Sequence, residues 1–165
     1  MYVMKKNEFM YTKKILPEGW KKKVLAAVFL AVLGNILVQY VIPWPEFMTV
    51  SYEAAAEELA AYPLGVYLAL TLLIGPLLEE GIFRKGLYGI LRKWFGVILS
   101  AFISAAAFGL YHGNWIQGIY GFVFGLLLSW GYESSSFGKY RMAVVMHGAA
   151  NGAALLLNVV LIRYL

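Results

Sequence analysis

The chain has 165 residues, of which 61% are hydrophobic and only 14% charged, against about 45–50% apolar and about 25% charged in a soluble domain. A domain of this size buries only about 70% of its unfolded surface, so too few polar residues remain to wet the rest. This excludes a soluble enzyme, a disordered chain and a nucleic-acid-binding module, and the lack of Cys excludes a disulfide framework, a thiolate metal site and a Cys nucleophile.

The charges mark out the elements. Residues 1–23 carry seven Lys and two Glu, which accounts for the whole net charge of +5. This segment reads as a basic cytoplasmic tail that anchors on anionic lipid. Four charge-free stretches follow: Val24–Pro45, Leu59–Leu78, Trp94–Tyr132 and Met142–Ile162. A spanning helix needs about 20 apolar residues, so the third stretch, with 39, accommodates two helices. It divides at its polar cluster, residues 111–117. The expected helices are therefore 24–42, 64–84, 96–112, 117–132 and 142–162. The fold class is all-α, a polytopic membrane bundle of about five transmembrane helices. The first reads as an uncleaved anchor rather than a signal peptide, because it is too long and follows a 23-residue tail.

Between the first two spans, residues 51–62 are rich in helix formers. Ser51 is the expected N-cap of a short surface helix that ends at Pro63. The expected organisation is a tail (1–23), an anchor helix with an outer loop (24–63) and a four-helix core (64–165). Thirteen basic residues fall on one side of this topology and only Arg163 on the other, which places the N-terminus in the cytoplasm and the C-terminus outside.

Ionisable groups inside a span are expensive and mark function by default. Three motifs hold them. In the first, Glu79 and Glu80 are adjacent, and Arg84 lies one helical turn beyond Glu80, within reach of an ion pair. Gly75 and Pro76 precede them and kink the helix. In the second, Phe108 and His112 share a helix face. In the third, His147 and Asn151 do the same, with Gly148 and Gly152 as a close-packing pair. Each motif alone also fits plain helix-end or packing roles. Together they make a polar pocket suited to general-base activation of water, with or without a metal.

These residues resemble the CPBP (Abi) family of intramembrane proteases, which includes the type II CAAX prenyl endopeptidases. The matching residues are Glu79, Glu80 and Arg84, then Phe108 and His112, then His147 and Asn151, over about residues 60–165. Lys85 departs from the pattern, where the family commonly has Gly; Gly86 follows one place late. The resemblance implies that Glu79 activates a water, Arg84 holds Glu80, His112 orients the water, and His147 and Asn151 stabilise the oxyanion. It implies either a divalent metal such as zinc on Glu79, His112 and His147 or a metal-free glutamate route. The implied partners are the lipid bilayer and a membrane-associated or lipidated peptide substrate, with no nucleic acid. A prokaryotic plasma membrane is the expected location. Self-immunity against a bacteriocin and a non-catalytic scaffold are the alternative readings. For Glu79 to lie as deep as His112, the second span has to continue past Arg84.

Overall fold

The structure is a computed structural model that describes residues 15–164. Its helices are α1 (Trp20–Val41), α2 (Glu46–Ala60), α3 (Leu64–Leu91), α4 (Val97–Tyr111), α5 (Trp115–Glu133) and α6 (Lys139–Tyr164). No strand occurs among the described residues. The chain is an all-α membrane bundle. Three of these helices are long and apolar enough to cross a membrane, and α4 is a shorter apolar helix paired with α5.

Several boundaries differ from the charge pattern. Helix α1 takes in residues 20–23 of the basic tail, and α6 starts at Lys139 rather than 142. Charges at a membrane surface do not end a helix, because long basic side chains snorkel to water. Helix α2 starts at Glu46 with Pro45 as its N-cap. Ser51 lies inside it, and its hydroxyl donates to the Met48 carbonyl, 3.1 Å away. Proline's fixed φ and missing N–H suit a helix start, so Pro45 takes the place expected of Ser51.

Helix α3 runs through Arg84 to Leu91, as the depth argument requires. It is not a uniform α-helix. Residues Leu70–Ile74 and Gly81–Tyr88 are π-helical, the wider form that recurs at functional sites.

The bundle is turned outward for lipid. Leu25, Phe29, Leu64, Leu78, Ile98 and Leu110 are all more than half exposed, whereas a soluble monomer rarely exposes large contiguous apolar patches. Trp94 and Trp115 are exposed at the two ends of α4, the placement of interfacial aromatic anchors. Inside, Phe83, Phe108, Phe124, Leu128, Met142 and Met146 form the buried core.

Small residues bring the helices close. Ala27 and Ala31 are buried on one face of α1, which packs along α6. Helices α4 and α5 join at a tight turn in which Gly113 has φ 71°, a region that L side chains rarely occupy. Asn114 then caps α5. Its Oδ1 accepts from the Gln117 N–H at 2.9 Å, and its Nδ2 donates to Gln117 Oε1 at 2.7 Å. The side-chain N-cap is thus reinforced by a bond between the two side chains. Just before the turn, a Cβ on Gly109 would overlap the Gly118 carbonyl oxygen of α5.

At the opposite end, Glu133 gathers three elements. It accepts from the Tyr88 hydroxyl at 2.9 Å and from Arg92 Nη2 at 3.0 Å, and Lys139 Nζ lies 3.8 Å away. The hydrogen bond with Glu133 lifts the Arg92 guanidinium above its ordinary pKa. The buried Lys23 ammonium donates to Ser135 Oγ at 2.8 Å, which ties α1 to the end of α5.

Gly109→Ala is expected to lower the unfolding temperature in detergent, at a cost of about 1–3 kcal/mol, the range for overpacking. Gly65, where a Cβ would meet nothing within 4 Å, is the control. Gly65→Ala should leave stability unchanged or raised. Equal effects at the two positions would refute close packing of α4 on α5.

Candidate functional site

The site forms where α3 is least regular. In the π-helical turn the Gly75 N–H donates to the Leu70 carbonyl. Residue 76 would be the next donor, to Thr71 in the π register or to Leu72 in the α register. It is proline and has no N–H. In a membrane, a carbonyl freed in this way must find a partner within the protein.

Helix α6 meets both carbonyls. Asn151 Nδ2 donates to the Thr71 carbonyl at 2.9 Å. One turn earlier, Gly148 sits so close to α3 that a Cβ there would lie 2.7 Å from the Leu72 carbonyl oxygen. Two more carbonyls of α3 are served from neighbouring helices. The Tyr140 hydroxyl donates to Leu77 at 2.8 Å, and Ser104 Oγ donates to Phe83 at 2.7 Å. Asn151 was expected beside the oxyanion. One of its two amide N–H groups is bonded to the Thr71 carbonyl, which makes it also a brace on the glutamate helix.

The brace brings α6 against Glu79 and Glu80. Glu80 lies about 16 Å along α3 from the Leu91 end, and His147 about 12 Å along α6 from the Lys139 end, at about 1.5 Å per residue. Their depths agree within a turn. His147 Nδ1 is 2.9 Å from Glu80 Oε1, and its Nε2 is 3.6 Å from Glu79 Oε2. The first distance is a hydrogen bond. The second is too long for one and leaves room for a bridging water.

Glu80 is fully buried and ion-pairs with Arg84, also fully buried, at 3.2 Å. The pair lacks a well-aligned hydrogen bond: Glu80 Oε2 and Arg84 Nε, Nη1 and Nη2 have no hydrogen-bond partner among the described residues. The guanidinium stands instead over the face of Phe108, with its Cζ 4.3 Å from the ring centroid. A desolvated cation–π contact of this kind is worth about 2 kcal/mol.

Phe108 joins the three motifs. Its ring centroid is 4.8 Å from that of His112, 5.8 Å from that of His147 and 5.3 Å from that of Phe83. His112 Nδ1 lies 2.8 Å from the Phe108 carbonyl. A carbonyl only accepts, so Nδ1 carries the proton and Nε2 keeps its lone pair. Two glycines of α5 seat these groups. A Cβ on Gly121 would lie 3.5 Å from the His112 ring, and one on Gly125 would lie 3.0 Å from Arg84 Nη2.

All seven motif residues are thus drawn into one region. Among the described residues, however, no three His, Asp or Glu side chains are placed to hold a metal ion. The expected set Glu79, His112 and His147 is not gathered into such a group as the side chains stand. The Lys85 departure has little consequence, since that side chain is exposed and lies 5.7 Å from the Tyr140 ring. Gly86 is the tight position, where a Cβ would lie 3.2 Å from the Gly81 carbonyl oxygen. Sequence reasoning missed Ser104, Tyr140 and Phe124, whose ring centroid is 5.5 Å from that of His147. Only Pro76 signalled that carbonyls of α3 would need outside donors.

A family model described as type II CAAX prenyl endopeptidase Rce1-like matches residues 61–153, which is more than half of the chain and includes every motif residue. No curated protein and no solved structure gives a match.

Arg84→Met is expected to cost about 3–5 kcal/mol, because it strands a buried carboxylate. Adding Glu80→Gln should recover most of that loss, since the pair is then removed together. Denaturant unfolding of the single and double variants in detergent measures the coupling, and additive losses would refute a buried ion pair.

Proposed function

The chain belongs to the Rce1-like type II CAAX prenyl endopeptidase family, and we propose that it is an intramembrane endopeptidase that cleaves a membrane-bound or lipidated peptide with a glutamate-activated water. The observation that carries this reading is His147 standing between Glu80, at 2.9 Å, and Glu79, at 3.6 Å. The two carboxylates differ in what they are free to do. Glu80 is fully buried, and its oxygens face Arg84 and His147. The Glu79 side chain keeps 20% of its exposure and reaches open space.

In this reading Glu79 is the general base. It takes a proton from a water held near His147 Nε2, and the resulting hydroxide attacks the peptide carbonyl. The tetrahedral oxyanion forms beside the His147 imidazole, where N–H donors aimed at it stabilise the developing charge. Glu79 then returns the proton to the leaving amine, giving a carboxylate and an amine as products. Glu80 orients His147 through Nδ1, and Arg84 pairs with Glu80. His112 offers the lone pair of Nε2 to the same water. A divalent metal bound by these side chains would polarise the carbonyl and acidify the water. The donor set as placed does not fit one, so each step here uses side chains and water.

Glu79→Gln keeps size and hydrogen bonding but removes the base. It is expected to lower cleavage of membrane-tethered reporter peptides in liposomes by about 10²–10⁴-fold, with the unfolding temperature retained. Cleavage within about threefold of wild type would remove Glu79 from the mechanism.

The charge asymmetry supports an N-terminus in the cytoplasm. The chain has no Cys, so single replacements report topology without background. Lys22→Cys should react with an impermeant thiol reagent only from the cytoplasmic side, and Glu57→Cys only from outside. The opposite pattern would invert the topology.

A further inference from the structure

A second polar feature lies outside the acid–base cluster. A cavity of about 140 Å³ opens between α1, α2, α5 and α6. Its polar lining is Asn35, Tyr52, Gln117, Tyr120 and Asn151, and Gly34 forms part of its wall. No Lys, Arg, Asp or Glu lines it. Asn35 Oδ1 is buried with no hydrogen-bond partner among the described residues. Buried acceptors are normally satisfied, and leaving one bare costs about 1–3 kcal/mol. Asn151 spends its nitrogen on Thr71, so its Oδ1 remains a second acceptor. Gln117 Oε1 accepts from Asn114, so its Nε2 remains a donor.

Position gives the cavity a task. Asn151 lines it and lies one turn after His147 on the same face of α6. Four helical residues rise about 6 Å, which an extended peptide covers in about two residues. The volume is close to the roughly 150 Å³ of an engineered cavity that holds benzene, so one mid-sized side chain fits. Five of the ten lining residues, Ala31, Gly34, Asn35, Val38 and Tyr52, come from α1 and α2, N-terminal to the matched residues 61–153.

We propose that this cavity is a specificity subsite that receives an uncharged, hydrogen-bond-donating side chain of the peptide substrate, an amide or a hydroxyl, about two residues from the scissile bond. The proposal rests on the endopeptidase reading. A donor from the substrate would pair with the amide groups of the wall, where Asn35 Oδ1 has no hydrogen-bond partner among the described residues. A charged side chain would enter with no counter-charge, and a buried unpaired charge is strongly disfavoured.

The test uses the full chain in liposomes with membrane-tethered reporter peptides randomised on both sides of the cut, read by mass spectrometry of the products. Wild type should enrich Asn, Gln, Ser or Thr over Asp, Glu, Lys and Arg by about tenfold at one position near the cut. Asn35→Leu should shift the preference at that position to Leu and Val. Tyr52→Ala, on the surface helix α2, should widen it to Phe and Trp. A profile unchanged in both variants overturns the subsite. If wild type cuts nothing, the same reporters with a diazirine side chain at that position are irradiated with Glu79→Gln protein. Crosslinks at residues 35, 52 or 120 keep the subsite and sink the endopeptidase reading; crosslinks elsewhere, or none, overturn the subsite.

Discussion

A helix broken inside a membrane has no water to complete its hydrogen bonds, and this constraint organises the molecule. Pro76 interrupts α3 immediately before its two glutamates. The Thr71 carbonyl that it frees is bonded by Asn151, and the Leu72 carbonyl is met by the bare Cα of Gly148. A side chain at 148 would push α6 away, and an apolar residue at 151 would leave a buried acceptor unpaired. The residues that repair the break are therefore the ones that fix the register of α6 on α3. His147 directly precedes Gly148 and lies one turn before Asn151, and so it faces Glu79 and Glu80. The broken backbone and the polar site are two aspects of one packing arrangement.

The same economy governs charge. A lone buried carboxylate beside a lone buried guanidinium would cost several kcal/mol each. Glu80 and Arg84 lie one turn apart and reduce that cost by pairing, and Phe108 covers the cation with a ring face. Because Phe108 also touches both histidine rings, moving it would disturb the ion pair and the imidazoles together. Its place in the motif then needs no chemistry of its own. It is the apolar wall that keeps water from Arg84 while leaving the Glu79 side open.

The fold and the site were legible in the sequence to different degrees. Charge-free runs located the membrane helices, since a span is a matter of length and apolarity. The helix ends shifted by several residues, because Lys21, Lys22 and Lys139 continue helices that composition ends before them. The Glu79–Glu80, Phe108–His112 and His147–Asn151 motifs were visible because a membrane tolerates so few polar groups. What spacing could not show was the partner of each group. The i, i+4 relation of His147 and Asn151 suggested two residues doing similar work, yet one faces carboxylates and the other a backbone carbonyl. The π-helical turns explain the difference, and no periodicity announced them; only Pro76 pointed there. The backbone carbonyl that holds His112 Nδ1 has no signature in the sequence either.

The division of labour between adjacent glutamates follows from this geometry. Neighbouring residues on a helix point about 100° apart, so one of the pair turns inward whenever α6 packs on α3. Glu80 takes that place. Its two oxygens face Arg84 and His147, and the side chain is fully buried. Glu79 keeps 20% of its side-chain exposure, with one oxygen 3.6 Å from the imidazole. Exchanging the pair by a one-residue slip of α3 would bury the base and expose its support. Gly148 against Leu72 and Asn151 against Thr71 prevent such a slip, because it would present α6 with different carbonyls. The brace at Pro76 thus decides which glutamate can act.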